Sequence, residues 1–137
     1  MSDALYVIMH WLHISSVVAL VGGLLYARLA MTPASGTFAP EARETLGERS
    51  AAAFRPVVFA AIAGLLVSGL YNILSSPGHT VRYHIVLGIK LVLVAHVFAV
   101  ALLIVQPKNT RRARLMTGAF LSGFAIILIS VYLRRIF

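Results

Sequence analysis

The sequence predicts an all-α integral membrane protein: a four-transmembrane-helix bundle with its N- and C-termini on the extracytoplasmic side. Three observations predict it. Of the 137 residues, 60% are hydrophobic and 12% are charged, against about 25% charged in a soluble globular domain. Four apolar stretches each reach the roughly 20 residues that hydrocarbon demands of a helix, because lipid offers backbone groups no partner. Basic residues outnumber acidic ones twelve to four, and most of them fall in two loops on one side of the predicted bundle.

The first span covers about residues 4–30, and Ala4 to Ala27 carries no formal charge. Asp3 and the absence of a basic n-region mark it as a retained span rather than a cleaved signal segment. A cytoplasmic loop over about 31–52 follows, interrupted at its start by Pro33, Gly36 and Pro40. Its Glu41–Arg49 segment mixes both charges and is expected to form a short surface helix. The second span, about 53–75, should end just before Pro77-Gly78. The third, about 83–106, contains Lys90, and the fourth, about 114–134, ends at Arg134-Arg135. Together the four make a single transmembrane domain over 1–137.

Orientation follows from charge. Arg28, Arg43, Arg49, Arg55, Lys108, Arg111, Arg112 and Arg114 lie on one side, and Arg82, Arg134 and Arg135 on the other. The positive-inside rule puts the larger set in the cytoplasm. The cluster from Lys108 to Arg114 has no interleaved aromatics and abuts a span. It therefore reads as a contact with anionic lipid headgroups and not as a nucleic-acid site.

Small residues four apart allow close helix approach: Ala60, Gly64 and Ser68, Gly118 with Ser122, and Ala119 with Gly123. These faces suit bundle packing or a homodimer. The chain has no cysteine, so it has neither disulfides nor thiolate ligands.

Ionisable groups within a span are costly and therefore mark function. The candidates are His10, His13, His84, Lys90 and His96. His10 and His13 share a face, being three apart. At 1.5 Å per residue, His13 lies about 13 Å deep and His10 about 9 Å, with Lys90 about 12 Å and His96 about 21 Å from the same side. His84, Lys90 and His96 point about 120° apart, so one centre admits at most one of them beside His13. Three chemistries compete for these groups. Histidine in a helical bundle ligates haem iron. Histidine with Met9 can hold copper. Each histidine can also satisfy itself on a neighbouring hydroxyl, with Ser15, Ser16, Ser68, Tyr71 and Asn72 at hand. Arg28 and Arg55 can serve as anchors at the membrane surface or as partners for haem propionates. Arg82 and Arg134 lie closer to His13 in depth.

At this point the first span reads as a resemblance. Leu12-His13-Ile14, then Gly23-Leu24-Leu25-Tyr26 and Arg28-Leu29, resemble the superfamily of small bacterial membrane proteins that contains HemJ-type protoporphyrinogen oxidases and the CopD copper-resistance domain. Glu48-Arg49, Pro56, Gly64 and Ile89-Lys90-Leu91 continue the likeness over about three-quarters of the chain. The resemblance implies a four-helix bundle in the bacterial inner membrane and bound haem b, with His13 and Lys90 as the functional positions. CopD-type relatives imply copper uptake instead. Thr117–Phe120 shows nothing of the Asn-Glu-x-Pro motif of HemJ proteins, and His96 lies outside their pattern, which leaves His96 open as a ligand.

The leading expectation is thus a haem b-binding membrane protein of electron transfer. His13 would be an axial ligand, Lys90 or His96 the second, His10 and Arg28 would lie in the cofactor's surroundings, and a quinone or respiratory membrane protein would be the partner. The alternatives are a protoporphyrinogen IX oxidase, a copper transport or resistance protein using His10, His13, His96 and Met9, and a cofactor-free accessory subunit of a membrane complex.

Overall fold

The computed structural model describes residues 3–75, 78, 80–106 and 111–135. These residues are helical almost throughout, and no strand occurs among them. Helix α1 spans Asp3–Tyr26. It runs on through a π-helical turn at Ala27–Met31, the three-residue α2 at Thr32–Ala34 and a 3-10 turn at Ser35–Thr37. Helix α3 is Pro40–Leu74, α4 is Val81–Ile104 and α5 is Arg112–Arg135. Four helical stretches, Asp3–Thr37, Pro40–Leu74, Val81–Ile104 and Arg112–Arg135, are long and apolar enough to cross a membrane.

The expected loop over 31–52 is corrected by the structure. Its Glu41–Arg49 segment is not a separate surface helix: it forms the first turns of α3, which continues unbroken into the second apolar stretch. Local physics accounts for this. Pro40 sits at the first helical position, where its missing N–H costs nothing. The run from Glu41 to Ala53 is rich in Ala, Glu, Arg and Leu, all good helix formers. Pro56 removes one hydrogen bond, to the Ala52 carbonyl, without ending the helix. At 1.5 Å per residue α3 is about 52 Å long, so it outlasts a hydrocarbon layer of about 30 Å. The end of α3 agrees with the sequence: Ser75 caps it, just ahead of the expected Pro77-Gly78 stop. Lys108 lies outside the described residues.

Helix α1 packs along α3 and α4 along α5, and the two pairs meet over a much smaller interface. Apart from Leu133 near the end of α5, the buried apolar residues lie towards the ends that carry the α1–α3 connection, here the loop end. Leu20, Val58, Ala61, Val97, Ala101 and Val105 form one cluster, and Leu24, Val100, Ile104 and Ala119 form another. Towards the opposite end, where the termini lie, the seam between the pairs holds half-buried polar groups instead: His10, His13 and Lys90. The outer surface is apolar. Val7, Trp11, Val18, Leu66, Leu74, Val92, Leu128 and Val131 are all exposed, an apolar surface consistent with helices long and apolar enough to cross a membrane.

The small residues are used for packing. Gly64 and Ser68 are buried in the α1–α3 interface, and Ala119 and Gly123 are buried on α5. A Cβ on Gly64 would collide with Ser16 Oγ, and one on Gly123 would rest against Val21. Ala60 does not join this stripe; it is exposed, and Ala61 takes the buried position.

Candidate functional site at the α1–α3 and α4–α5 seam

His13 is half-buried on α1, and its Nδ1 lies 2.9 Å from Ser68 Oγ on α3. Ser68 is fully buried, and its hydroxyl donates to the Gly64 carbonyl at 2.6 Å. A serine hydroxyl has one hydrogen to give. With that hydrogen on Gly64, Ser68 can only accept from His13. The ring is thereby fixed with hydrogen on Nδ1 and a lone pair on Nε2. Nε2 has no hydrogen-bond partner among the described residues. This chain of two hydrogen bonds resembles the outer support of metal-bound histidines, which donate their second ring N–H to the protein.

The other basic groups converge from both helix pairs. Lys90, half-buried on α4, lies within electrostatic range of His13, and Arg134 on α5 within range of Lys90. Arg134 Nη2 donates to His10 Nε2 at 3.0 Å, because a guanidinium has no acceptor. His10 in turn stacks on Tyr6, with centroids 5.8 Å apart. Arg82 donates to the Tyr132 hydroxyl and lies over the Tyr132 ring. No carboxylate takes part in these contacts. Asp3 is the one acid in the sequence outside the segment from Glu41 to Glu48.

The remaining sequence candidates lie elsewhere. His96 is exposed on α4 and its Nδ1 meets Ser122 Oγ of α5 at 3.0 Å. Its ring lines a groove of about 400 Å³ with Val100, Arg111, Arg114, Leu115 and Gly118, and no described contact joins it to His13. His84 lies near the start of α4, with Nδ1 2.9 Å from the Thr80 carbonyl. Arg28 belongs to the loop end, where its Nε donates to Thr117 Oγ1 at 2.9 Å and ties the π-helical turn to α5. Met9 is half-buried. Among the described residues no three His, Cys, Asp or Glu side chains gather in a geometry that could hold a metal ion.

Sequence reasoning missed what the loop-end arginines do. Arg55 gives both Nε and Nη2 to the Val105 carbonyl, at 3.1 and 2.9 Å. Arg112 gives Nε to Ile104 and Nη2 to Gln106, at 3.0 and 3.1 Å. Together they satisfy carbonyls that the end of α4 leaves open. In sequence they look like ordinary flanking charges, because a backbone carbonyl leaves no trace in side-chain pattern.

Comparison with protein-family models, with curated proteins and with solved structures returns no match for this chain.

Proposed function

We propose that this is a multi-pass protein of the bacterial inner membrane that binds haem b through His13 and serves electron transfer. One observation carries the reading: the hydrogen-bond chain from His13 through Ser68 to the Gly64 carbonyl, which leaves the Nε2 lone pair of the half-buried ring without a partner among the described residues. The donor set fits a porphyrin better than a bare metal ion. Haem brings four nitrogens of its own and asks the protein for one or two axial donors. A copper centre asks for several gathered side chains, and His10, His13, His96 and Met9 are dispersed.

His13, through Nε2, and Lys90 from the opposite helix pair are the residues that would hold the haem. Arg134, held on His10, would supply a positive setting for the propionates, since no carboxylate competes there. Bound in this seam, haem b supplies a one-electron couple set by its axial ligands and surroundings. The apolar clusters at the loop end would hinder water from reaching the seam through the bundle. The loop end, rich in arginine, would face the cytoplasm and both termini the opposite side. A quinone or a respiratory membrane protein is the partner this reading implies, and the resemblance of the first span to HemJ and CopD proteins agrees with it.

The test is an absorption spectrum of the protein purified in mild detergent, oxidised and dithionite-reduced, with a pyridine haemochrome assay. The proposal expects a Soret band and sharp reduced α and β bands of haem b. A protein that stays colourless after haemin is offered would sink it.

A further inference from the structure

A second pocket, of about 490 Å³, opens at the loop end, far from His13. Its walls are apolar: Leu24, Phe54, Ile104, Val105 and Met116 line it. Its charged groups are Arg43 and Arg112, and no acidic residue lines it. Both arginines are held in place by backbone carbonyls. Arg43 donates Nε to Ser35 at 3.2 Å and Nη2 to Gly36 at 2.9 Å. Arg112 is fixed on Ile104 and Gln106. Neither Nη1 has an acceptor among the described residues. Gly47 gives Arg112 room: a Cβ there would stand 3.0 Å from Arg112 Nη1. The π-helical turn contributes Ala27 and Met31 to the wall, and π-helical turns recur at functional sites.

Two preorganised guanidinium groups beside an apolar chamber, at a membrane boundary, match a phosphate head joined to an acyl chain. Arginine forks complement phosphate oxygens, and basic pockets between helices on the cytoplasmic side take anionic headgroups. We infer that this pocket binds one anionic phospholipid from the cytoplasmic leaflet, with the phosphate on Arg43 and Arg112 and an acyl chain between Phe54 and Met116. The inference rests on the membrane reading and is independent of haem.

Native mass spectrometry of the detergent-solubilised protein tests it, with phosphatidylglycerol, phosphatidylcholine or inorganic phosphate added. The expected result is one phosphatidylglycerol retained per chain, with phosphatidylcholine and free phosphate lost. The double variant Arg43→Gln with Arg112→Gln keeps amide donors for the backbone carbonyls and removes both charges. It should retain phosphatidylglycerol about tenfold to thirtyfold less well, as expected for two basic residues. Ala53→Trp, which adds bulk at the pocket wall without touching either arginine, should also expel the lipid. Equal retention of both lipids, binding of phosphate alone, or unchanged retention in both variants would overturn the inference. Haem content of the same samples, read at the Soret band, reports separately on the His13 proposal.

Discussion

His13 and Ser68 meet at 2.9 Å across the α1–α3 interface, 55 residues apart in sequence. The contact decides which nitrogen of the histidine is available. It also explains why a hydroxyl lies fully buried in an apolar helix: Ser68 is supported by the Gly64 carbonyl below it and loaded by His13 above it.

Ser68→Ala is therefore expected to act through His13. It leaves Nδ1–H without its acceptor, at a cost of about 1–3 kcal/mol for an unsatisfied half-buried group. Loss of such a support weakens metal or haem retention about tenfold to a hundredfold. Haem titration of the variant measures this, with Ser68→Thr as the conservative control that keeps the hydroxyl.

Gly64→Ala and Gly69→Ala should have opposite signs, although both residues lie in α3. A Cβ on Gly69 meets nothing within 4 Å, whereas one on Gly64 collides with Ser16 Oγ and crowds Leu12. At Gly69 the helix-propensity gain of up to about 1 kcal/mol prevails. At Gly64 overpacking of about 1–3 kcal/mol prevails. Thermal unfolding in detergent, followed by circular dichroism, reads both. A Gly64→Ala variant as stable as the wild type would show that the α1–α3 interface is looser than described.

Arg55→Ala should lower stability by about 1–3 kcal/mol, because the Val105 carbonyl loses two charged donors at once. Arg55→Lys should restore only part of it, since a lysine cannot present the paired Nε and Nη2 geometry. Recovery to the full wild-type midpoint with lysine would reduce Arg55 to a membrane-surface charge.

Orientation has a direct test, because the chain has no cysteine to interfere. A cysteine introduced at Ala42, exposed at the start of α3, should react with a membrane-impermeant maleimide only after the cells are opened. One introduced at Asp3, exposed at the start of α1, should react in intact spheroplasts. The reverse pattern would invert the topology drawn from the arginines.

Much of the fold was legible in the residues. The four apolar stretches and the helix stop before Pro77 follow from length and turn chemistry, and rise per residue puts His13 and Lys90 at a similar depth. Ser68 was identifiable as one of several hydroxyls available to a buried histidine, but not as the one used. That choice depends on the crossing of α1 and α3, which Gly64 and Ser16 set. The unbroken α3 was missed because Pro33, Gly36 and Pro40 read as breakers of a whole loop, whereas Pro40 opens a helix that runs on into the apolar stretch. His96 could not be separated from Lys90 by sequence alone, as helix rotation excludes a shared centre without saying which residue faces α1. In the structure Lys90 is half-buried within electrostatic range of His13, and His96 lies exposed on Ser122.

The measurement that bears most directly on the central claim is a haemin titration of four proteins side by side: wild type, His13→Ala, Lys90→Ala and His96→Ala. The account predicts that His13→Ala abolishes the Soret-absorbing complex, that Lys90→Ala changes its ligation spectrum, and that His96→Ala matches the wild type. Full haem binding by His13→Ala, with an unaltered reduced spectrum, would contradict it.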